Sequence, residues 1–205
     1  MKLYYSPGAC SLAVHVALEW IGEPYQTQAV KPGSPEFVAI NPAGAVPALD
    51  TGEGWLLTQA GAILRHLARR FPQARLSAAT SLRDQAEVDS WLSFFTGDLH
   101  PAFFPVFMAQ RYTTASDEAS LKAARDAGLA LVRKRYAIME AHLAGRRFFV
   151  GEERSILDAY AFPMERWGAK VLEGGLADFP NIKAHHDTLA ADPAVRRVLA
   201  AEGLA

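Results

Sequence analysis

Residues 4–20, "YYSPGACSLAVHVALEW", set how the rest of the chain is read. The aromatic run at 2–5, "KLYY", has strand character. After a Pro-Gly turn, "SLAVHVALEWI" is almost wholly apolar and stops at Gly22, which predicts a largely buried helix with a glycine cap. Cys10, the only cysteine, stands at the junction. Unpaired N–H groups and the dipole of a helix start favour an anion, so a thiol there is expected to have a lowered pKa. Ser11 is positioned to donate a hydrogen bond to that thiolate, and Tyr5 ends the preceding strand. The other reading is a small buried hydrophobe, which a free cysteine often is. Placement alone leaves both open.

Outward from this unit the chain keeps alternating. "YQTQAV" reads as a strand, and "SPEFVAI" as a short helix with Ser34 as cap and Pro35 at its first position. "VPALD" and "WLLT" are short strands around "TGEG". "QAGAILRHLARRF" is an amphipathic helix that Pro72 stops. The order is β-α-β-α-β-β-α, an α/β pattern. "PQARLSAATS" (72–81) lacks periodicity and reads as a linker. Beyond it the pattern is helical: a long helix over 81–112, another over 117–144, then 156–172, 180–191 and 194–201. The apolar side of the second is read as Leu121, Ala124, Gly128, Leu131, Ile138 and Leu143. The domains are therefore expected at 1–74 and 82–205.

Composition narrows the function. The 205 residues are half apolar and carry a net charge of -1, so no global field draws the chain to nucleic acid or an anionic membrane. The basic runs at 69–70, 133–135 and 146–147 read as solvated faces. A single cysteine excludes an intramolecular disulfide and a cysteine-based zinc site. The apolar runs are shorter than a membrane span, and no secretory signal is visible. The expectation is a soluble cytoplasmic protein.

Further residues could carry chemistry. Ser11, His15 and Glu19 form a polar row on the first helix, either a cleft wall or a solvent edge. In "NPAGAVPAL", Val46-Pro47 enters a strand; a cis bond there would turn the backbone of Val46 outward to an extended ligand. Thr58 reads as a helix cap, leaving the N–H groups of Gln59 and Ala60 in an unpaired first turn suited to a carboxylate. Asp89, Ser93, Gly97 and His100 form a stripe on the long helix, which Pro101 should kink. His100 is a candidate proton donor or hydrogen-bond partner. Ser155 with Asp158 in "SILDAY" is a capping box of structural role. The adjacent His185 and His186 face apart, and no metal site is expected.

In this order and spacing, these motifs resemble the cytosolic glutathione transferases over essentially the whole chain. "MKLYYSPGACSLAVHVALEW" is most similar to the bacterial beta class, which has cysteine where other classes place tyrosine or serine. The resemblance implies a thioredoxin-like α/β domain followed by an all-α domain, a homodimer, and glutathione as co-substrate. It implies that Cys10 faces the glutathione sulfur, flanked by Tyr5 and Ser11. Val46, before a cis-Pro47, would pair with the cysteinyl backbone of glutathione, and Gln59 and Ala60 would hold its γ-glutamyl carboxylate. His100, with Ser93 and Gly97, would line the cleft and reach glutathione bound by the neighbouring subunit. Where the family usually has an acidic residue followed by serine or glycine, this chain has Gln59-Ala60. The implied activity is detoxifying conjugation to small apolar electrophiles, or thiol–disulfide exchange through Cys10, with redox work favoured. Phe103, Phe104, Phe107, Tyr112 and Trp167 are the expected electrophile pocket. The alternative is a non-enzymatic relative that acts as a binding or scaffold protein.

Overall fold

The computed structural model describes residues 1–77 and 81–205. The first half follows the expected order: β1 (Lys2–Tyr5), α1 (Ser11–Ile21), β2 (Gln26–Ala29), α2 (Pro35–Val38), β3 (Ala48–Asp50), β4 (Leu56–Thr58) and α3 (Ala60–Arg70). The sheet order is β2-β1-β3-β4. β1 runs parallel to β2, with Leu3 opposite Thr27, and antiparallel to β3, with Leu3 opposite Leu49. A parallel pair needs a crossover, and α1 supplies it. Gly22 ends α1 in the left-handed region at φ 77°, which glycine adopts without a Cβ clash.

The second half is helical. It comprises α4 (Leu82–Phe94), a π-helical stretch (Phe95–Leu99), the short α5 (His100–Ala102) and α6 (Phe104–Phe107), then α7 (Glu118–Leu143), α8 (Ile156–Val171), α9 (Pro180–Ala191) and α10 (Pro193–Ala201). The long helix expected over 81–112 is thus broken. Pro101 has no N–H to continue the ladder, and the chain widens to a π turn just before it, with the N–H of His100 bonded to the carbonyl of Phe95. The part of the expected linker at 78–80 lies outside the described residues.

α1 is the hub. It packs on the sheet and on α3, α8 and α10, so both halves share one core. That explains its near-continuous apolar sequence: a helix covered on nearly all sides needs little polar surface, and two of its three polar side chains, Ser11 and His15, are themselves buried. The apolar face of α7 differs from the one expected. Its buried positions are Gly128, Val132, Tyr136, Met139 and Leu143, whereas Leu131 and Ile138 are exposed. The 3.6-residue period allows either stripe, and the small Gly128 decides. α7 meets α6 there, and a Cβ on Gly128 would stand 3.0–3.1 Å from Val106 and Pro105.

α8 begins with the expected capping box. Asp158 Oδ2 accepts from the N–H of Ser155 at 2.7 Å and from its hydroxyl at 2.8 Å. Its Oδ1 accepts from the N–H of Phe149 at 2.9 Å. The same carboxylate meets His185 Nε2 at 2.9 Å, and His185 Nδ1 meets Glu165 at 2.7 Å. All three side chains are fully buried. Burial alone would lower the histidine pKa, but Glu165 and Asp158 overcome it and raise it to about 10. His185 is therefore an imidazolium tying two carboxylates into the core, a role its sequence neighbourhood did not reveal.

Candidate active site

Cys10 lies between two cavities that the fold brings side by side. One, of about 700 Å³, is bounded by Pro32, Gly33, Val46, Pro47, Gln59 and Ala60 from the sheet side. The other, of about 760 Å³, is bounded by the loop Pro7–Ala9 and by Phe104, Phe107 and Trp167 from the helical half. Cys10 and His100 line both.

The chemistry of Cys10 departs from the helix-start expectation. Cys10 caps α1 with no side-chain cap bond. Its Sγ donates to the carbonyl of Val46 at 3.3 Å. Burial pushes the thiol up to about 12, and the nearby N–H groups of Cys10 and Ser11 pull it back only partly. In the free protein Cys10 is a neutral thiol, because desolvation outweighs the helix start. Ser11 does not serve a thiolate either. Its hydroxyl donates to the carbonyl of Ser6 and accepts from the N–H of Ser6, both at 3.2 Å, so it shapes the loop before Cys10. Tyr5 is buried beneath the loop against His15, with ring centroids 5.4 Å apart, and lines neither cavity.

The loop that presents Cys10 is held from the far end of the chain. Gly8, in the left-handed region at φ 70°, donates its N–H to Glu202 Oε2 at 2.9 Å. Its carbonyl accepts from Trp167 Nε1 at 2.8 Å. The second oxygen of Glu202 meets His15 Nδ1 at 2.8 Å, with both side chains buried. The polar row of α1 is thus divided. Ser11 shapes the loop, His15 anchors it to the helical half, and Glu19 bonds Tyr25 and Arg197 at the edge.

Val46–Pro47 is a cis peptide. The cap of α3 is Gln59, not Thr58, which ends β4. Gln59 has φ 70° and ψ 113°, a conformation that L residues rarely adopt, and its side chain makes no cap bond. Its side chain and the first N–H groups of α3 are therefore left to the cavity.

The stripe on the long helix comes apart. His100 lies beside Cys10 of its own chain, on the wall of both cavities. Its Nδ1 pairs with the Tyr160 hydroxyl at 3.1 Å, and burial lowers its pKa to about 4. It is uncharged at neutral pH, which rules out an imidazolium acid. Ser93 lies with Gln59, Arg65 and Asp89 in an open groove between α3 and α4 that adjoins the sheet-side cavity at Gln59 and Thr96, and Arg65 and Asp89 form an ion pair there. Gly97, in the π stretch, lines none of these cavities. Sequence reasoning missed Tyr160, two residues after the capping aspartate, and Arg111, a cation on the wall of the sheet-side cavity. Among the described residues no group of three or more His, Cys, Asp or Glu side chains is arranged to hold a metal.

The fold and the paired cavities define a two-domain thiol-binding protein of the glutathione transferase type. The comparisons agree. The family model for the glutathione S-transferase N-terminal domain matches residues 1–69, and that for the C-terminal domain matches 88–193. Glutathione S-transferase GST-4.5 of Xanthomonas campestris pv. campestris is 36% identical over all of both chains. A sphingomonad glutathione S-transferase solved in complex with glutathione superposes with a TM-score of 0.87 at 36% identity, covering 100% of each chain. A bacterial beta class enzyme from Sphingomonas chungbukensis gives 0.88 at 33% identity, also covering 100% of each. The chain belongs to the glutathione S-transferase family.

Proposed function

We propose that this protein conjugates glutathione to small electrophiles, with Cys10 as a hydrogen-bond donor to the glutathione sulfur. One observation carries the reading: a neutral thiol sits between a peptide-sized cavity and an aromatic one, with its proton resting on the carbonyl of Val46. When the cysteinyl part of glutathione pairs with the backbone of Val46, that carbonyl is taken. The S–H of Cys10 is then released toward the incoming sulfur. A donated hydrogen bond favours glutathione thiolate over thiol, which is the form that attacks. A buried thiol near 12 offers almost no thiolate of its own at neutral pH, so conjugation is favoured over disulfide exchange.

The other roles follow from chemistry. Gln59 and the N–H groups of Ala60 and Gly61 meet the γ-glutamyl carboxylate at the dipole of α3. Arg111 is the cation available for the glycyl carboxylate. Tyr160 donates to Nδ1 of the uncharged His100, leaving Nε2–H to donate into the cleft. Ser11 and Tyr5 support the loop. Residues 1–74 form the glutathione-binding domain and 82–205 the electrophile-binding domain, a division in keeping with the two matched spans. The protein works in the cytoplasm as a homodimer. The groove between α3 and α4, with Ser93 at its edge, is the face assigned to the second copy, and sedimentation velocity tests it. No helix among the described residues is long and apolar enough to cross a membrane.

The test compares Cys10→Ser with Cys10→Ala. With 1-chloro-2,4-dinitrobenzene, Cys10→Ser should keep kcat/KM within about tenfold, because a hydroxyl still donates. Cys10→Ala should lose on the order of 100-fold, the usual cost of one such donor. Equal activity in Cys10→Ala and wild type would remove Cys10 from the reaction.

A further inference from the structure

The aromatic cavity on the helical side of Cys10 has a charge pattern that the conjugation reading does not use. Its floor is Phe104, Phe107 and Trp167. Two cations stand on the same wall: Arg166 and Lys170, one turn apart on α8 and flanking Trp167. No aspartate or glutamate is among its lining residues. A half-buried cation is normally paired, because desolvation without a counter-charge is costly. Arg166 is half-buried, yet it meets the carbonyl of Leu204 at 3.4 Å and the face of Phe162 at 5.8 Å. Glu202, whose charge is felt at Arg166, already has one oxygen on His15 and the other on Gly8. Among the described residues neither Arg166 nor Lys170 has a carboxylate within ion-pair distance. The other basic side chain of the wall, His186, is bonded to Asp187 at 3.1 Å.

An apolar aromatic floor flanked by a half-buried arginine and an exposed lysine, neither within ion-pair distance of a carboxylate, is complementary to one kind of molecule. We propose that the electrophile of this enzyme is an aromatic or similarly flat apolar molecule carrying a carboxylate or sulfonate, with its ring against Trp167 and its anion between Arg166 and Lys170. Guanidinium and ammonium together hold an oxyanion by charge-assisted hydrogen bonds, and the ring supplies the apolar burial. Cys10 lines the same cavity, so a ring seated there lies on the side from which the glutathione sulfur attacks. The inference rests on the conjugation reading and adds the class of electrophile to it.

Paired probes separate the two ideas. They are 1-chloro-2,4-dinitrobenzene, which is neutral, and 4-chloro-3,5-dinitrobenzoate, which bears a carboxylate. In each, glutathione thiolate forms a C–S bond at the chlorinated carbon, and chloride leaves with the C–Cl pair. The thiol proton passes to solvent. Intrinsic reactivity differs between the probes, so the readout is the ratio of their kcat/KM values in wild type against Lys170→Glu and Arg166→Gln. Charge reversal at Lys170 should lower the carboxylate-to-neutral ratio about tenfold, the size of one charge-assisted contact. Arg166→Gln should lower it in the same direction. Inhibition of the neutral reaction by 4-nitrobenzoate, compared with nitrobenzene, should weaken in the same variants and with added salt. A ratio unchanged in both variants, with the neutral probe still conjugated, overturns the anionic electrophile and leaves the transferase reading intact. Conjugation of neither probe by wild type, together with no glutathione binding by calorimetry, overturns both.

Discussion

The starts of α8 and α3 pose the same physical problem and solve it in opposite ways. Each leaves backbone N–H groups without intrahelical partners. At α8 the chain fills them itself: Ile156 donates to the carbonyl of Leu76 at 2.9 Å, and Leu157 to the Ser155 hydroxyl at 3.2 Å. Asp158 closes the box, and behind it stands His185. At α3 the cap residue is Gln59 in a rare conformation with no side-chain bond, facing a cavity. α1 stands between the two: Leu12 and Ala13 donate to the carbonyls of Ala9 and Cys10, while the Cys10 side chain makes no cap bond and lends its proton to Val46. A helix start that the chain satisfies is part of the fold, and one left open in a cavity is available to a ligand.

The largest effect should come from opening the satisfied start. Asp158→Ala removes the bonds to Ser155 and Phe149 and strips His185 of one of its two carboxylates. We expect about 3–5 kcal/mol of lost stability, as for other broken buried pairs, read from urea denaturation. A loss below about 1 kcal/mol would place α8 with the open starts. The pH dependence of stability sharpens the same point. His185 has its pKa raised to about 10 in the folded protein, from 6.5 for the free side chain. Its contribution is then complete below about pH 6.5 and is lost as pH rises toward about 10. Wild type should lose stability over that range, and His185→Gln should lose less.

Glu202→Gln tests the clamp on the loop of Cys10. It keeps the shape but removes the charge from the contacts to His15 and Gly8. The expected cost is about 1.5–3 kcal/mol in thermal or chemical unfolding, together with a raised KM for glutathione. A change in stability with KM untouched would make the clamp purely structural. The smallest effect should come from Gln59→Gly. Glycine adopts φ 70° freely, so stability should rise by about 1 kcal/mol while glutathione binding weakens. Unchanged binding by calorimetry would show that the open start of α3 takes no part in it.

Much of this was legible in the chain. The order of strands and helices followed from apolar periodicity, from Ser34 with Pro35, from Gly22, and from the Ser155–Asp158 box, all of which act within a few residues. The candidate site was legible as motifs: Cys10 at a strand–helix turn and Val46-Pro47 at a strand entry. Less legible was which residues those motifs meet. Leu131 and Ile138 on α7 looked like core because the period fits, but the close approach of α6 at Gly128 turned them to solvent. Ser93, Gly97 and His100 share a stripe in the sequence, but the π turn before Pro101 breaks the regular helix between them, and within one chain Ser93 lines the α3–α4 groove while His100 lines the cavities beside Cys10.

Local sequence determined where elements begin and end, because caps, turns and periodicity are short-range interactions. The long-range packing decided the chemistry. A thiol at a helix start is expected to ionise easily; burial among residues from both halves holds this one neutral. The loop that carries it is clamped by Glu202, whose partner His15 lies 187 positions away in the chain. Desolvation and ion pairing depend on what surrounds a group in space, and no stretch of sequence around Cys10 contains those neighbours.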